Sequence, residues 1–138
     1  MAGSETRVFR ASLDGAPEIY RDIEIEGTKS LYGLAQAIVG AFGFDFDHAF
    51  GFYTGTNART MMRTNPRYEL FADMGEESDA RSVKKTKIAE AFPEVGRTMK
   101  FLFDYGDDWL FRIKLIGSGQ KAAKVRYPRI LASKGEAP

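Results

Sequence analysis

Residues 99–115 read MKFLFDYGDDWLFRIKL, and the way this stretch folds decides the rest. Met99, Phe101, Phe103 and Tyr105 alternate on the way in, and Trp109, Phe111, Ile113 and Leu115 alternate on the way out. A period of two puts each set on one face of a β-strand. Between them, Gly106-Asp107-Asp108 predicts a three-residue loop that pairs Tyr105 with Trp109, Phe103 with Phe111 and Phe101 with Ile113. A two-residue loop would set Phe103 opposite Leu110 and throw Trp109 to the far face. The buried face dictates register, so three residues is the expectation. The opposite face of this hairpin carries Lys100, Asp104, Arg112 and Lys114, with Leu102 and Leu110 among them.

Working outward, RVFRASLDG alternates with Val8, Ala11 and Leu13 among polar residues. EIYRDIEIEG sets Ile19, Ile23 and Ile25 against Glu18, Asp22, Glu24 and Glu26. DGAP between them is turn chemistry, so these two strands form a hairpin. In GTKSLYGLAQAIVGAFGF the period changes: Leu31, Leu34, Ala35, Ile38, Val39 and Phe42 recur at helical spacing. Thr28 or Ser30 caps the start and Gly43 ends it. DHAFGFYTG is a third strand, with Phe50 and Phe52 alternating against Gly51 and Tyr53. Residues 55–87 form an irregular excursion with a short strand at Tyr68–Phe71. KIAEAFPEVG gives one helical turn stopped by Pro93. A final strand falls near Tyr127–Leu131, and residues 132–138 read as a disordered tail.

The expected class is therefore α+β: a single domain over 1–138, a mostly antiparallel sheet with one main helix packed on it, in the order β-β-α-β-(long excursion)-β-β-β. The composition, 43% hydrophobic and 28% charged, is that of an ordinary folded domain. There is no cysteine, which excludes disulfides and thiolate metal sites and suits a reducing cytoplasm. The opening MAGSETRVFR lacks the apolar centre of a signal peptide, and no apolar run reaches the length of a membrane span. The expected location is cytoplasmic, with no membrane partner. Net charge is +1, unevenly spread: residues 1–50 hold eight acids and four bases (−4), and residues 51–138 hold sixteen bases and eleven acids (+5). That permits a basic face without the charge of a dedicated nucleic-acid binder.

Four stretches together resemble the plasmid pRiA4b ORF-3-like family: PEIYRDIEIEG, SLYGLAQAIVGAFGFDFDHAFGFYTG, KFLFDYGDDWLFRIKLIG and YPRILASKGEAP. They span nearly the whole chain in the family's order, and DYGDDW is the most recognisable piece. The resemblance implies an α+β fold, a setting in plasmids or mobile insertion elements, and little chemistry. Two features depart from the family pattern. The place two residues after His48, often a second histidine, holds Phe50, and the chain lacks the Cys- or Pro-Pro-containing segment in which many relatives continue.

Several residues carry possible chemistry. Asp104, Asp107 and Asp108 have the oxygens a hard cation needs, although Asp is also the natural residue of a turn. His48, the single histidine, lies beside Asp45 and Asp47 and has the chemistry of an acid–base group or a metal ligand; a strand-end histidine bonded to a neighbour is the plainer alternative. Tyr105 and Trp109 offer a stacking platform; a cap on the core is the plainer alternative. Arg59, Arg63 and Arg67, then Lys84, Lys85 and Lys87, are candidates to follow a phosphate backbone; further bases, Lys121, Lys124, Arg126 and Arg129, lie near the end. GSGQK is not a phosphate loop, and no GxSxG elbow, HExxH helix or dinucleotide fingerprint appears. No cofactor and no metal site is assigned. The leading reading is a non-enzymatic accessory or interaction domain that contacts nucleic acid or a protein partner through a basic face. The alternative is a metal-dependent hydrolase using Asp107, Asp108 and His48.

Overall fold

The structure, a computed structural model, describes residues 5–55, 57–75 and 78–138. The first four residues, and residues 56, 76 and 77 of the excursion, lie outside it.

The aromatic hairpin forms, with a longer turn than its sequence predicts. β6 (Thr98–Phe103) and β7 (Trp109–Gln120) pair antiparallel, with Phe103 opposite Trp109, Phe101 opposite Phe111 and Met99 opposite Ile113. The register has slid by two residues, and residues 104–108 make the turn. Its chemistry explains the slide. Asp104 and Asp108 both adopt left-handed backbone conformations, φ 65° and 53°, which Asp tolerates better than most residues. The Asp108 N–H donates to the Asp104 carbonyl at 2.6 Å, and Asp104 Oδ1 accepts the N–H groups of Gly106 and Asp107 at 3.0 and 3.3 Å. Because side chains alternate with period two, a slide of two leaves Phe101, Phe103, Phe111 and Ile113 on the expected face. Tyr105 alone leaves the strand.

The remaining strands extend this pair in both directions. β1 (Glu5–Leu13) pairs with β7, and β2 (Ala16–Glu26) with β1, through the expected hairpin at Asp14-Gly15, where Gly15 has φ +85°. β3 (Phe50–Tyr53) pairs with β6, and β4 (Arg67–Glu69) with β3. β5 (Arg81–Ser82) joins β4 in parallel, and β8 (Arg129–Lys134) closes the far edge against β2. The sheet order is β5-β4-β3-β6-β7-β1-β2-β8.

This corrects the expected α+β class and strand order. The described chain is mostly β, 42% strand against 17% helical, with one eight-stranded mixed sheet. The excursion supplies two of those strands. They are three and two residues long, too short to show alternation, and the parallel β4–β5 pair makes the sheet mixed. β1 also departs in detail: Phe9 and Ala11 are fully buried while Val8 is not, because alternation puts Val8 on the face of Arg10 and Ser12, opposite that of Phe9 and Ala11. β8 runs through Lys134, taking in residues 132–134 from the segment read as a disordered tail.

One helix, α1 (Leu31–Ala41), covers the aromatic face. Ser30 caps it by accepting the Gly33 N–H. Gly43, at φ +78°, ends it: its N–H reaches the Gly40 carbonyl and the Phe44 N–H reaches that of Val39, the paired closure of a Schellman motif. Leu31, Leu34, Ala35, Ile38 and Val39 pack on Phe9, Ile23, Ile25, Phe50, Phe52, Phe101, Phe111 and Ile113. The one-turn helix α2 (Ile88–Ala91) adds Ile88 and Ala91, and Phe92 after it meets the ring of Phe9 edge-on at 4.9 Å. Phe101 lies within 6 Å, ring to ring, of Phe50, Phe52 and Phe111. We predict that Phe101→Ala lowers unfolding stability by about 3–5 kcal/mol, measured by urea denaturation. A loss under 1 kcal/mol would mean that this layer is not the centre of the core.

Candidate functional site

The second face of the sheet is divided in two. Toward β3 the excursion covers it: Met61 packs on Tyr53 and Leu102 in a small cluster that Tyr105 and Leu110 border. Toward β7 and β1 it is open, and there the cations gather. Lys100 on β6 stands directly opposite Arg112 on β7, and Lys114 on β7 directly opposite Arg10 on β1. Arg10, Arg112 and Lys114 are exposed. Opposed like charges on neighbouring strands are destabilising by about 0.2–1 kcal/mol, so this arrangement calls for counter-charge.

Counter-charge arrives unevenly. Arg10 makes a two-pronged pair with Asp22, at 2.8 and 2.9 Å, and lies over the Tyr20 ring. Lys100 pairs with Asp14. Further along, Arg129 pairs with Glu24 and Lys121 with Glu26. Among the described residues no carboxylate pairs with Arg112 or Lys114. Beside Arg112 and Lys100 the surface sinks into a depression of about 330 Å³, lined also by Thr54, Gly55 and Thr98.

The residues singled out from sequence do not assemble into one site. Trp109 is on the aromatic face against Phe44, 5.0 Å between rings. Tyr105 is on the other face, against Phe71 at 4.9 Å. The expected Tyr105–Trp109 pair and the stacking platform built on it are therefore absent. His48 is half-exposed and meets Phe103 edge-on. Its Nε2 lies 3.4 Å from carboxylate oxygens of both Asp47 and Asp104. Asp108 instead lines an apolar depression with Met61, Leu102 and Leu110 on the opposite side of the sheet. Among the described residues no three His, Asp or Glu side chains are placed to hold a metal. Asp104 spends one oxygen on the turn amides and turns the other toward His48.

The candidate phosphate contacts are also split. Arg59 and Arg63 are exposed, two residues either side of Met61, which packs on Tyr53 and Leu102. Arg67 bonds Asn65 at 3.0 Å and approaches Glu69 at 3.9 Å. Lys84, Lys85 and Lys87 lie on the helix-covered side: the Lys84 ammonium sits 5.1 Å above the Tyr32 ring of α1, and neighbouring Val83 and Ile88 are in the main core. Arg10, Lys100, Arg112 and Lys114 were not among the sequence candidates. Three of them were legible as the non-aromatic face of one hairpin. The signal for Arg10 was the pairing of β1 with β7, strands more than ninety residues apart, which no local pattern shows.

Sequence reading also missed a buried polar cluster. The Tyr53 hydroxyl donates to Glu69 and lies 2.7 Å from the Tyr105 hydroxyl. Tyr53 is fully buried and Glu69 nearly so. Gly51 makes room, since a Cβ there would come within 2.7 Å of both tyrosine oxygens. Burial, with the hydrogen bond to Glu69 next, pushes the Tyr53 phenol far above its ordinary value, and burial raises that of Tyr105. Both stay neutral, and the cluster ties the excursion to the sheet.

These features define a class: a mixed-sheet domain with one face closed by a helix and the other partly open and basic. The chain belongs to the plasmid pRiA4b ORF-3-like protein family, whose profile matches residues 6–138. Among solved structures it is similar to a protein of unknown function from Methanosarcina mazei Go1, with 22% identity and a TM-score of 0.77, covering 98% of this chain and 72% of that one. At that identity the likeness shows the fold. No curated protein matches the chain.

The tyrosine cluster predicts a pH dependence. Unfolded tyrosines ionise near pH ~10, while Tyr53 in the fold does not, so its contribution is complete below that pH and is lost as pH rises above it. The loss approaches about 1.4 kcal/mol per pH unit for this residue. Tyr53→Phe should be less stable at neutral pH by about 1–3 kcal/mol, since Glu69 loses its donor, yet fall less steeply above pH ~10. Urea midpoints from pH 7 to 11 check both; equal slopes would show that Tyr53 ionises freely in the fold.

Proposed function

We propose that this chain is a non-enzymatic binding domain that contacts nucleic acid through the open basic face, in the plasmid or mobile-element setting that its family name suggests. The observation that carries the reading is the charge surplus there. Four cations lie side by side on three adjacent strands, and two of them, Arg112 and Lys114, have no carboxylate among the described residues. Exposed cations on a rigid sheet are what a phosphate backbone meets. Arg59 and Arg63, on the segment that walls this face, extend it. Lys84, Lys85 and Lys87 do not belong to it, because they are on the helix-covered side. The hydrolase alternative finds no support in the placement of its residues: His48 and Asp108 are on opposite sides of the sheet.

The surplus is small, so the expected salt dependence is moderate. With two to four phosphates neutralised, affinity for duplex DNA should fall roughly 10- to 100-fold between 50 and 200 mM salt. Fluorescence anisotropy with labelled duplex and single-stranded oligonucleotides measures this. Arg112→Gln with Lys114→Gln should weaken binding and flatten the salt slope by about two, whereas Lys84→Gln with Lys85→Gln should leave it nearly unchanged. Equal effects from the two double variants, or no binding at 50 mM salt, would overturn the reading.

A further inference from the structure

We propose that Lys100 and Arg112 form a seat for one phosphate group, and that Asp14 is a built-in competitor which holds Lys100 until the phosphate displaces it. The inference deepens the proposed function and rests on it for the source of the phosphate.

The geometry starts with the cross-strand pair. Lys100 and Arg112 are direct neighbours on β6 and β7 and both border the depression beside Thr54 and Thr98. The threonine hydroxyls shape this depression but spend their protons elsewhere, Thr54 on the Pro66 carbonyl and Thr98 on that of Gly96. Recognition of an anion therefore falls to the two cations. Arg112 presents a planar fork of N–H donors with no carboxylate among the described residues, and the complement of such a fork is an oxyanion with two oxygens to offer.

Lys100 is different. Its side chain is only 16% exposed and its ammonium is engaged by Asp14. Asp14 does not reach it by chance of a long flexible arm. It sits in the Asp14-Gly15 turn, with its backbone N–H fixed to the Leu110 carbonyl at 2.9 Å. The turn thus delivers a carboxylate to the rim of the depression, where it imitates half of what a phosphate supplies. It satisfies Lys100 and leaves Arg112 unmatched. A phosphate has enough oxygens to bridge both cations, so it gains the Arg112 contact that Asp14 does not make. Asp14 is itself 35% exposed, so its carboxylate regains water when it is displaced. Asn is as compatible with that turn as Asp, so the competitor can be removed without rebuilding the hairpin.

The test uses the whole chain, wild type against Asp14→Asn, Lys100→Gln and the double variant, with Glu90→Gln on α2 as a control for loss of one negative charge. Binding is read by anisotropy with labelled oligonucleotides and by calorimetry with inorganic phosphate and pyrophosphate. Asp14→Asn should tighten binding roughly threefold, more than Glu90→Gln does, and Lys100→Gln should abolish that gain, so that the double variant matches Lys100→Gln alone. A gain that persists without Lys100, or one equal to the control, would be a general charge effect and would overturn the seat. If oligonucleotides bind but Asp14→Asn and Lys100→Gln change nothing, the seat falls and the nucleic-acid reading stands. If oligonucleotides fail to bind while phosphate or pyrophosphate shows the Lys100-dependent gain, the seat stands and its phosphate comes from a small molecule.

Discussion

The ring of Phe101, enclosed by Phe50, Phe52 and Phe111, is the constraint on which the molecule depends. Each such side chain contributes about 1.5–3 kcal/mol by leaving water, and several do so on adjacent strands. Once β3, β6 and β7 turn their phenylalanines to one side, strict alternation decides what faces the other. Lys100, Arg112 and Lys114 have no freedom to be elsewhere. The repulsion of opposed like charges, at about 0.2–1 kcal/mol a pair, is small beside that burial. The basic face is in this sense a by-product of the core, fixed in position more firmly than any surface loop would be.

What the remainder of the chain does to that face is uneven. The excursion crosses behind β3 and lays Met61 on Tyr53 and Leu102, pinned through Glu69 and the two tyrosine hydroxyls. On the far side, the acidic strand β2 supplies Asp22, Glu24 and Glu26, each answered by a cation. Between wall and acid strip lies a narrow band in which positive charge is not cancelled. The weak net charge of the whole chain conceals this, because four of the eight acids of the first fifty residues, Glu18, Asp22, Glu24 and Glu26, are on β2.

Much of this was legible in the sequence. The hairpin at 99–115, the strands around the DGAP turn, the helix of residues 31–41 and, β1 apart, the buried face of each followed from periodicity, which is a local property. The misjudged features were those that local pattern cannot carry. β4 was expected only as a short strand at Tyr68–Phe71 and β5 is too short to alternate, so the sheet looked smaller and its parallel pair went unseen. The turn at 104–108 was read as shorter because the buried face does not distinguish registers two residues apart, and the left-handed aspartates that lengthen the turn carry no such pattern. Tyr105 and Trp109, alike in chemistry and near in sequence, went to opposite faces. The basic segments, grouped by their nearness along the chain, were separated by the sheet itself, while the cations that do gather come from strands far apart in sequence.

The sliding of β7 by two residues at this turn carries a wider consequence. Because the core is blind to shifts of two and intolerant of shifts of one, the tip of the hairpin is a site of even-numbered drift. Descendants of this chain can gain or lose residues there in pairs without exposing a phenylalanine. A shift of the pairing by one would turn the aromatic layer outward and the lysines in. The parity of the pairing, rather than the identity of the turn's residues, is what the fold protects.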